Sequence, residues 1–343
     1  MTGSLDPIDA AMRRAIEASV AARGVSTPNP PVGAVVLDRD GLVVGVGATA
    51  APGGPHAEIA ALAQAGERAR GGTAVVTLEP CDHTGRTGPC SQALLRAGVV
   101  RVVHALGDPN PVAAGGAETL RGAGVEVRSG VLADLAEAGP MRAWLHRQRT
   151  GRPMLTWKYA ATLDGRTAAP DGTSRWITGE TARAHVHAER ARIDAVVVGT
   201  GTVLADDPVL TARLPDGSLA AHQPVRVVVG LRDIPAGSRI LDDSAPTRVV
   251  RTRDPFAVME ALADLTDVVL EGGSTLTGAF LSAGLVDRVT AYLAPVVLGE
   301  GPTAVRGTGV GTIADAMRFR RESVETLGDD LLVRLAPLRS SDH

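Results

Sequence analysis

The chain has 343 residues, which at roughly 100–200 residues per domain suggests two domains or one large one. Hydrophobic residues make up 44% and charged residues 21%, enough for a core and inconsistent with wholesale disorder or a disulfide miniprotein. The 35 basic and 38 acidic side chains leave a net charge of −3 and aromatics are only 2%, so a nucleic-acid partner lacks both its positive field and its stacking platforms.

Asp9 to Arg23 reads as an amphipathic helix: Ile8, Met12, Ile16 and Val20 recur four apart, and Gly24 is a stop. Its charges, among them Arg13, Arg14 and Glu17, deny this N-terminus the apolar middle of a signal peptide. No apolar run nears the ~20 residues of a membrane-spanning helix, so no membrane partner is expected and a cytoplasmic location is. Strands at Val32–Leu37 and Leu42–Val46 flank the hairpin signal Asp40-Gly41, and a helix follows from about His56 to Gln64. A buried strand, Thr73–Leu78, leads through an irregular segment to Pro89, taken as the first residue of a helix that runs to Arg96 and stops at Gly98. Strands Val99–Ala105 and Val125–Val127, with a helix near Ala117–Gly122 between them, complete an α/β pattern.

The polar, basic stretch from His146 to Pro153 is the expected linker, with the boundary at about residue 150. Beyond it the alternation resumes. Strands are expected at Met154–Tyr159, Ala195–Val198, Val225–Val229, Arg248–Arg251, Val268–Leu270 and Arg288–Leu293, and helices at Glu180–Ala191, Phe256–Leu262 and Leu276–Ala283. Gly199-Thr200-Gly201 follows a strand, but Leu204 stands at the third glycine position and no clean βαβ unit is evident, so the dinucleotide fingerprint fails. Glu271-Gly272-Gly273-Ser274 is more telling, because a strand running through glycines into a helix presents free N–H groups to a diphosphate. Paired glycines can also serve only as a tight turn.

His56-Ala57-Glu58, Cys81 and Cys90 form the chemical constellation of the first half. One imidazole and two thiolates suit Zn²⁺ with a fourth position left for water, and a helix start favours the Cys90 thiolate. Glu58 is the carboxylate placed to move protons. His56 and Glu58 share one metal only if His56 sits in the first turn and swings back, which Gly53-Gly54-Pro55 permits. Two other readings stand beside this one: the cysteines as small buried hydrophobes, or a closed structural zinc completed by His83 or His104. A non-enzymatic zinc-stabilised interaction protein would leave Glu58 without a role. An RNA-editing deaminase with an RNA-binding second half would need a basic, aromatic-bearing face.

The order His-x-Glu, Pro-Cys and a second Cys resembles the zinc-dependent deaminases, although eight residues separate the cysteines here where two are usual. The stretch from Thr77 to Cys90 (TLEPCDHTGRTGPC), with Pro28-Asn29-Pro30-Pro31-Val32-Gly33 upstream, is similar to the deaminase half of the bacterial bifunctional riboflavin-biosynthesis deaminase-reductases, and that longer gap is the family's own. The likeness continues through Lys158, Asp164-Gly165-Arg166-Thr167-Ala168, Ser174-Arg175-Trp176-Ile177-Thr178, TGTVLADDPVLTAR from Thr200 to Arg213, and Glu271-Gly272-Gly273-Ser274. Thr162 and Met141 depart from the family pattern, which commonly has Ser and Asn there.

The resemblance implies a cytidine-deaminase-like α/β/α sandwich at residues 1–149 followed by a dihydrofolate-reductase-like α/β domain at 150–343, with zinc and NADPH as cofactors. It implies zinc on His56, Cys81 and Cys90, Glu58 as proton shuttle, and Asn29 and His83 at the substrate pocket. In the second half it implies NADPH contacts from Ala160, Trp176, Thr202, Asp206, Gly273, Ser274, Thr275, Leu276, Thr277 and Gly278. Substrate contacts would come from Lys158, Ser174, Arg190, Leu210, Arg213 and Glu271. The two arginines suit a ribose phosphate, whereas Asp206-Asp207-Pro208 is equally a turn signal. The implied partner is a small phosphoribosylaminopyrimidine, with a homo-oligomer left open. Its 2-amino group is removed hydrolytically and its ribosyl group reduced to ribityl.

Overall fold

The computed structural model describes residues 6–84 and 88–338, so Gly85, Arg86 and Thr87 of the cysteine motif lie outside it. The chain divides into two compact units meeting between Gly151 and Arg152.

In the first unit the elements run α1 (Pro7–Val20), β1 (Gly33–Leu37), β2 (Val43–Ala48), α2 (Ala57–Ala65), β3 (Thr73–Leu78), α3 (Cys90–Ala97), β4 (Arg101–Leu106), α4 (Gly116–Gly122), β5 (Glu126–Ser129), α5 (Ala133–Ala138) and α6 (Arg142–Thr150). The sheet order is β2-β1-β3-β4-β5, with β1 antiparallel to both its neighbours and β3, β4 and β5 parallel. Strand alternation divides the apolar side chains between two cores. Val35, Val75 and Val103 pack under α1 and α5 with Met12, Ile16 and Ala136; Val36, Val76 and Val102 pack under α2, α3, α4 and α6 with Ala61, Leu94, Leu120 and Leu145. The result is the expected α/β/α sandwich, each fully buried Val or Leu contributing about 1.5–3 kcal/mol. Asp6 starts α1 by accepting the Ile8 N–H at 2.9 Å, with Pro7 at the first position.

The second unit runs β6 (Met154–Thr162), α7 (Glu180–Arg190), β7 (Ala195–Gly199), α8 (Thr200–Asp206), β8 (Val225–Val229), β9 (Thr247–Val250), α9 (Pro255–Ala261), β10 (Asp267–Glu271), α10 (Ser274–Ser282), β11 (Arg288–Ala294), β12 (Phe319–Leu327) and β13 (Asp330–Pro337). Its sheet order is β12-β13-β11-β6-β10-β7-β8-β9, parallel from β11 to β9 and antiparallel at the β12–β13 edge. Alternation again makes two cores: Val197, Val227 and Leu270 face α9 and α10, while Val196, Val198 and Val228 face α8 through Val203.

Three expectations change. The linker stretch is not extended: residues 146–150 finish α6, whose Trp144 and Leu145 belong to the first core, and Gly151 ends the helix at φ 74°. β7 does run into a helix and return as parallel β8, so a βαβ connection exists, though its return segment over 207–224 is long and irregular. The β12–β13 hairpin was not expected. Among the described residues, no helix is long and apolar enough to cross a membrane.

Candidate active sites

In the first unit β3 delivers the chain to Glu79-Pro80-Cys81-Asp82, and both flanks of Cys81 are pinned. The Glu79 carboxylate accepts the N–H groups of Gly115 at 3.2 Å and Ala117 at 3.0 Å, capping α4, and that of Asp108 at 3.3 Å. Asp82 accepts the hydroxyls of Ser91 and Thr119, the latter at 2.6 Å. The Cys81 carbonyl accepts the Ser91 N–H at 3.2 Å. Neither Glu79 nor Asp82 had drawn a role from sequence reading, although both flank the cysteine in the quoted motif.

His56 is the N-cap of α2, with extended backbone at φ −70° and ψ 161°, rather than a residue inside the helix. That half-in position releases it from helical spacing, so it and Glu58 converge. Pro89 likewise caps α3, and Cys90 is the first helical residue. His56 Nδ1 lies 3.3 Å from Cys90 Sγ and 3.5 Å from Cys81 Sγ, and the three donor atoms fall within 4.8 Å of one another. Zinc bonds of about 2.3 Å to sulfur and 2.0–2.1 Å to nitrogen give a tetrahedral N···S edge of about 3.6 Å, so the donor set fits zinc in both chemistry and spacing. Both sulfurs are free thiols and buried. The two sulfurs lie close enough to share one proton between them, which pulls Cys81 down to about 4 and pushes Cys90 up. Burial is the main force pushing the Glu58 carboxyl up to about 7, helped by the charge on Cys81 and opposed by His56 and Cys90.

The histidines weighed as a fourth ligand stand apart from this cluster. His104 is engaged by the Leu106 carbonyl at 3.0 Å and the Ser129 hydroxyl at 2.8 Å. His83 is half-buried, and its Nδ1 is buried without a hydrogen-bond partner among the described residues. Among the described residues, only His56, Cys81 and Cys90 converge as a metal-binding group. Asn29 is half-buried in the loop after α1.

In the second unit Lys158 on β6 and Glu271 at the end of β10 are register partners, with Nζ 3.2 Å from Oε2. Arg190, the last residue of α7, grips the same carboxylate through Nε at 3.0 Å and Nη2 at 2.7 Å. Burial alone would raise the Glu271 pKa, but Arg190 and Lys158 outweigh it and hold the carboxyl well below the usual range. The fork of Arg190 is thus spent on Glu271 and not held open for a phosphate. Arg213 is exposed and donates to the Gly217 carbonyl at 2.9 Å. Leu210 is buried beside Val203 and Ile240 with φ at +57°, and Ser174 is half-buried in the loop before α7.

A cavity of about 640 Å³ opens at the C-terminal ends of β7, β8 and β9, between the N-termini of α8 and α10. Of the residues expected at the cofactor, Thr202, Asp206, Gly273, Ser274, Thr275 and Leu276 line it. Gly272 and Gly273 adopt φ of 86° and 80°, so the chain enters α10 through a left-handed turn that leaves its first N–H groups open. Ala160, Trp176, Thr277 and Gly278 do not line the cavity. Trp176 is 69% exposed under the Arg183 guanidinium at 4.5 Å. Thr277 is fully buried, and a Cβ on Gly278 would meet the Arg306 carbonyl oxygen at 1.8 Å. Arg232, Thr252 and Arg253 line the cavity without having been singled out. Their signal was positional, since open α/β sheets bind ligands beyond their strands' carboxyl ends.

Residues 6–106 match the cytidine and deoxycytidylate deaminase zinc-binding region, and residues 153–333 match the RibD C-terminal domain. The riboflavin biosynthesis protein RibD of Mycobacterium tuberculosis is 56% identical over 328 residues, covering 96% of this chain and 97% of the relative. Its Escherichia coli counterpart is 38% identical over 361 residues, covering 94% and 98%. A crystal structure of the diaminohydroxyphosphoribosylaminopyrimidine deaminase/5-amino-6-(5-phosphoribosylamino)uracil reductase of Thermotoga maritima superposes with a TM-score of 0.88 at 34% identity, covering 97% of this chain and 99% of that one. RibD of Acinetobacter baumannii superposes at 0.86 with 37% identity, covering 98% and 100%.

Proposed function

The chain belongs to the RibD family, the bifunctional deaminase-reductases of riboflavin biosynthesis, and from that premise we propose how its own residues divide the two reactions. Residues 1–149 deaminate and residues 150–343 reduce. The substrate is 2,5-diamino-6-(5-phosphoribosylamino)pyrimidin-4(3H)-one. Water replaces its 2-amino group, releasing ammonia and leaving a ring carbonyl. The ribosyl group then gains two electrons and two protons, giving 5-amino-6-(5-phosphoribitylamino)uracil.

His56, Cys81 and Cys90 hold the zinc, and the observation carrying this reading is the convergence of their donor atoms within 4.8 Å beside a buried Glu58. Zinc bound there supplies Lewis acidity that brings a water pKa from about 15.7 toward 7. Glu58 would take a proton from the attacking water and return it to the departing nitrogen; among the described residues no Lys or Arg pairs with it, so its carboxyl is free to cycle. The unsatisfied His83 Nδ1 and the Asn29 side chain receive the pyrimidine edge.

In the second unit NADPH, when bound, supplies the hydride. The open N–H groups at Gly273 and the start of α10 hold its diphosphate, with Thr202 and Asp206 against the cofactor. Lys158 and Glu271 fix the ribosyl side chain, Arg190 acting through the Glu271 carboxylate that it holds, with Ser174, Leu210 and Arg213 at the border. Small molecules are the partners, in the cytoplasm.

Metal analysis of the purified protein, with ammonia release and NADPH oxidation followed separately on the diaminopyrimidinone nucleotide, tests both halves. One zinc per chain and both products are expected. A zinc-free protein that still releases ammonia sinks the first assignment, and ammonia release without NADPH oxidation sinks the second.

A further inference from the structure

The cavity beside α10 has a polarity that sets which way a dinucleotide lies in it. Lys158 and Glu271 sit on β6 and at the end of β10, and the sheet continues away from them through β7 and β8 to β9. The nicotinamide has to reach the substrate cluster, so with the diphosphate at the start of α10 the adenosine extends toward β8 and β9. Those strands lie two and three places from β10, about 10–14 Å at ~4.8 Å per strand.

That end of the cavity carries two arginines. Arg232 follows β8 and Arg253 follows β9, and both line the wall. The Arg232 guanidinium reaches across to the first turn of α8, where a Cβ on Gly201 would come within 2.8 Å of its Nη2. Their neighbours Asp233 and Arg251 pair with each other at 2.6 Å, which removes the adjacent carboxylate. Among the described residues neither Arg232 nor Arg253 makes a hydrogen bond or ion pair of its own. Both are exposed, so neither is held in place by the fold, and both present planar forks matched to phosphate oxygens.

We propose that Arg232 and Arg253 form the 2′-phosphate subsite of the reductase and set its preference for NADPH over NADH. The proposal rests on the dinucleotide reading of this cavity and adds the group that discriminates between the two cofactors. A 2′-phosphate carries close to two negative charges, and NADH has only a hydroxyl there to offer the same two cations.

The test is titration calorimetry on the full-length protein with NADPH, NADH, 2′,5′-ADP and 5′-ADP, using wild type, Arg232→Gln, Arg253→Gln and the double variant. Each single substitution is expected to weaken NADPH and 2′,5′-ADP roughly ten-fold, and the double about a hundred-fold, while NADH and 5′-ADP stay unchanged. Equal weakening of all four ligands would assign the arginines to the adenosine 5′-phosphate that the four share and overturn the proposal, as would no change in any. A wild type that binds NADH as tightly as NADPH overturns the subsite alone. One that binds none of the four overturns the dinucleotide reading beneath it.

Discussion

Lys158 and Glu271 are 113 residues apart in sequence yet face each other on neighbouring parallel strands, and Arg190 closes on the same carboxylate from the end of α7. One buried anion therefore serves two cations. Glu271→Gln leaves both uncompensated, and the expected loss is about 3 kcal/mol in chemical denaturation of the second unit, toward the lower end for a broken buried pair. Adding Lys158→Met should return part of that loss. A Glu271→Gln protein as stable as wild type would mean the cluster is solvated.

The same carboxylate gives the second unit a definite response to acid. The folded Glu271 pKa lies below its unfolded value, so its contribution is complete above the ordinary carboxylate pKa of about 4.3 and fades as pH falls through the folded value. Asp164 and Asp242, each lowered to about 2, titrate in the same direction. Thermal melts between pH 6 and 3 should fall more steeply for wild type than for the Glu271→Gln, Lys158→Met double variant. Parallel curves would remove Glu271 from the acid response.

Glu58→Gln keeps the shape of the buried side chain and removes its capacity to carry a proton. Zinc content should match wild type, because the donor atoms belong to His56, Cys81 and Cys90. Ammonia release should fall by about 10²–10⁴-fold, with reduction of already deaminated substrate intact. Deamination at the wild-type rate would show that another group shuttles the proton.

Sequence pattern carried the central strands and the metal donors, because buried strands are continuous Val-rich runs and His, Cys and Glu are chemically distinctive. It failed where tertiary burial overrode local character. Residues 146–150 look like a linker because they are polar, yet they prolong a helix anchored by Trp144 and Leu145. β12 alternates weakly, since much of it is exposed, and only Gly328-Asp329 marked the hairpin. Arg190 read as a free phosphate fork because sequence does not reveal that Glu271 lies 2.7 Å away. Nothing in the sequence singled out Arg232 and Arg253, which only the strand order sets on one cavity wall.

The Cys81 loop leans on α4, and Gly116 is where they touch. A Cβ there would fall 1.8 Å from the Pro80 carbonyl oxygen, a clash between two backbones that no rotamer relieves. Gly116→Ala must shift either α4, breaking the Glu79 caps on Gly115 and Ala117, or Pro80, carrying Cys81 with it. Either shift disturbs support around a metal ligand, so zinc affinity should drop about 10–100-fold, with about 1–3 kcal/mol lost from the first unit. Gly122→Ala, at the other end of the same helix where a Cβ meets nothing within 4 Å, is the matched control and should keep its zinc. Competition with a chromogenic chelator compares the two variants directly. Equal zinc retention in both would show that Cys81 holds its place without α4 beneath it.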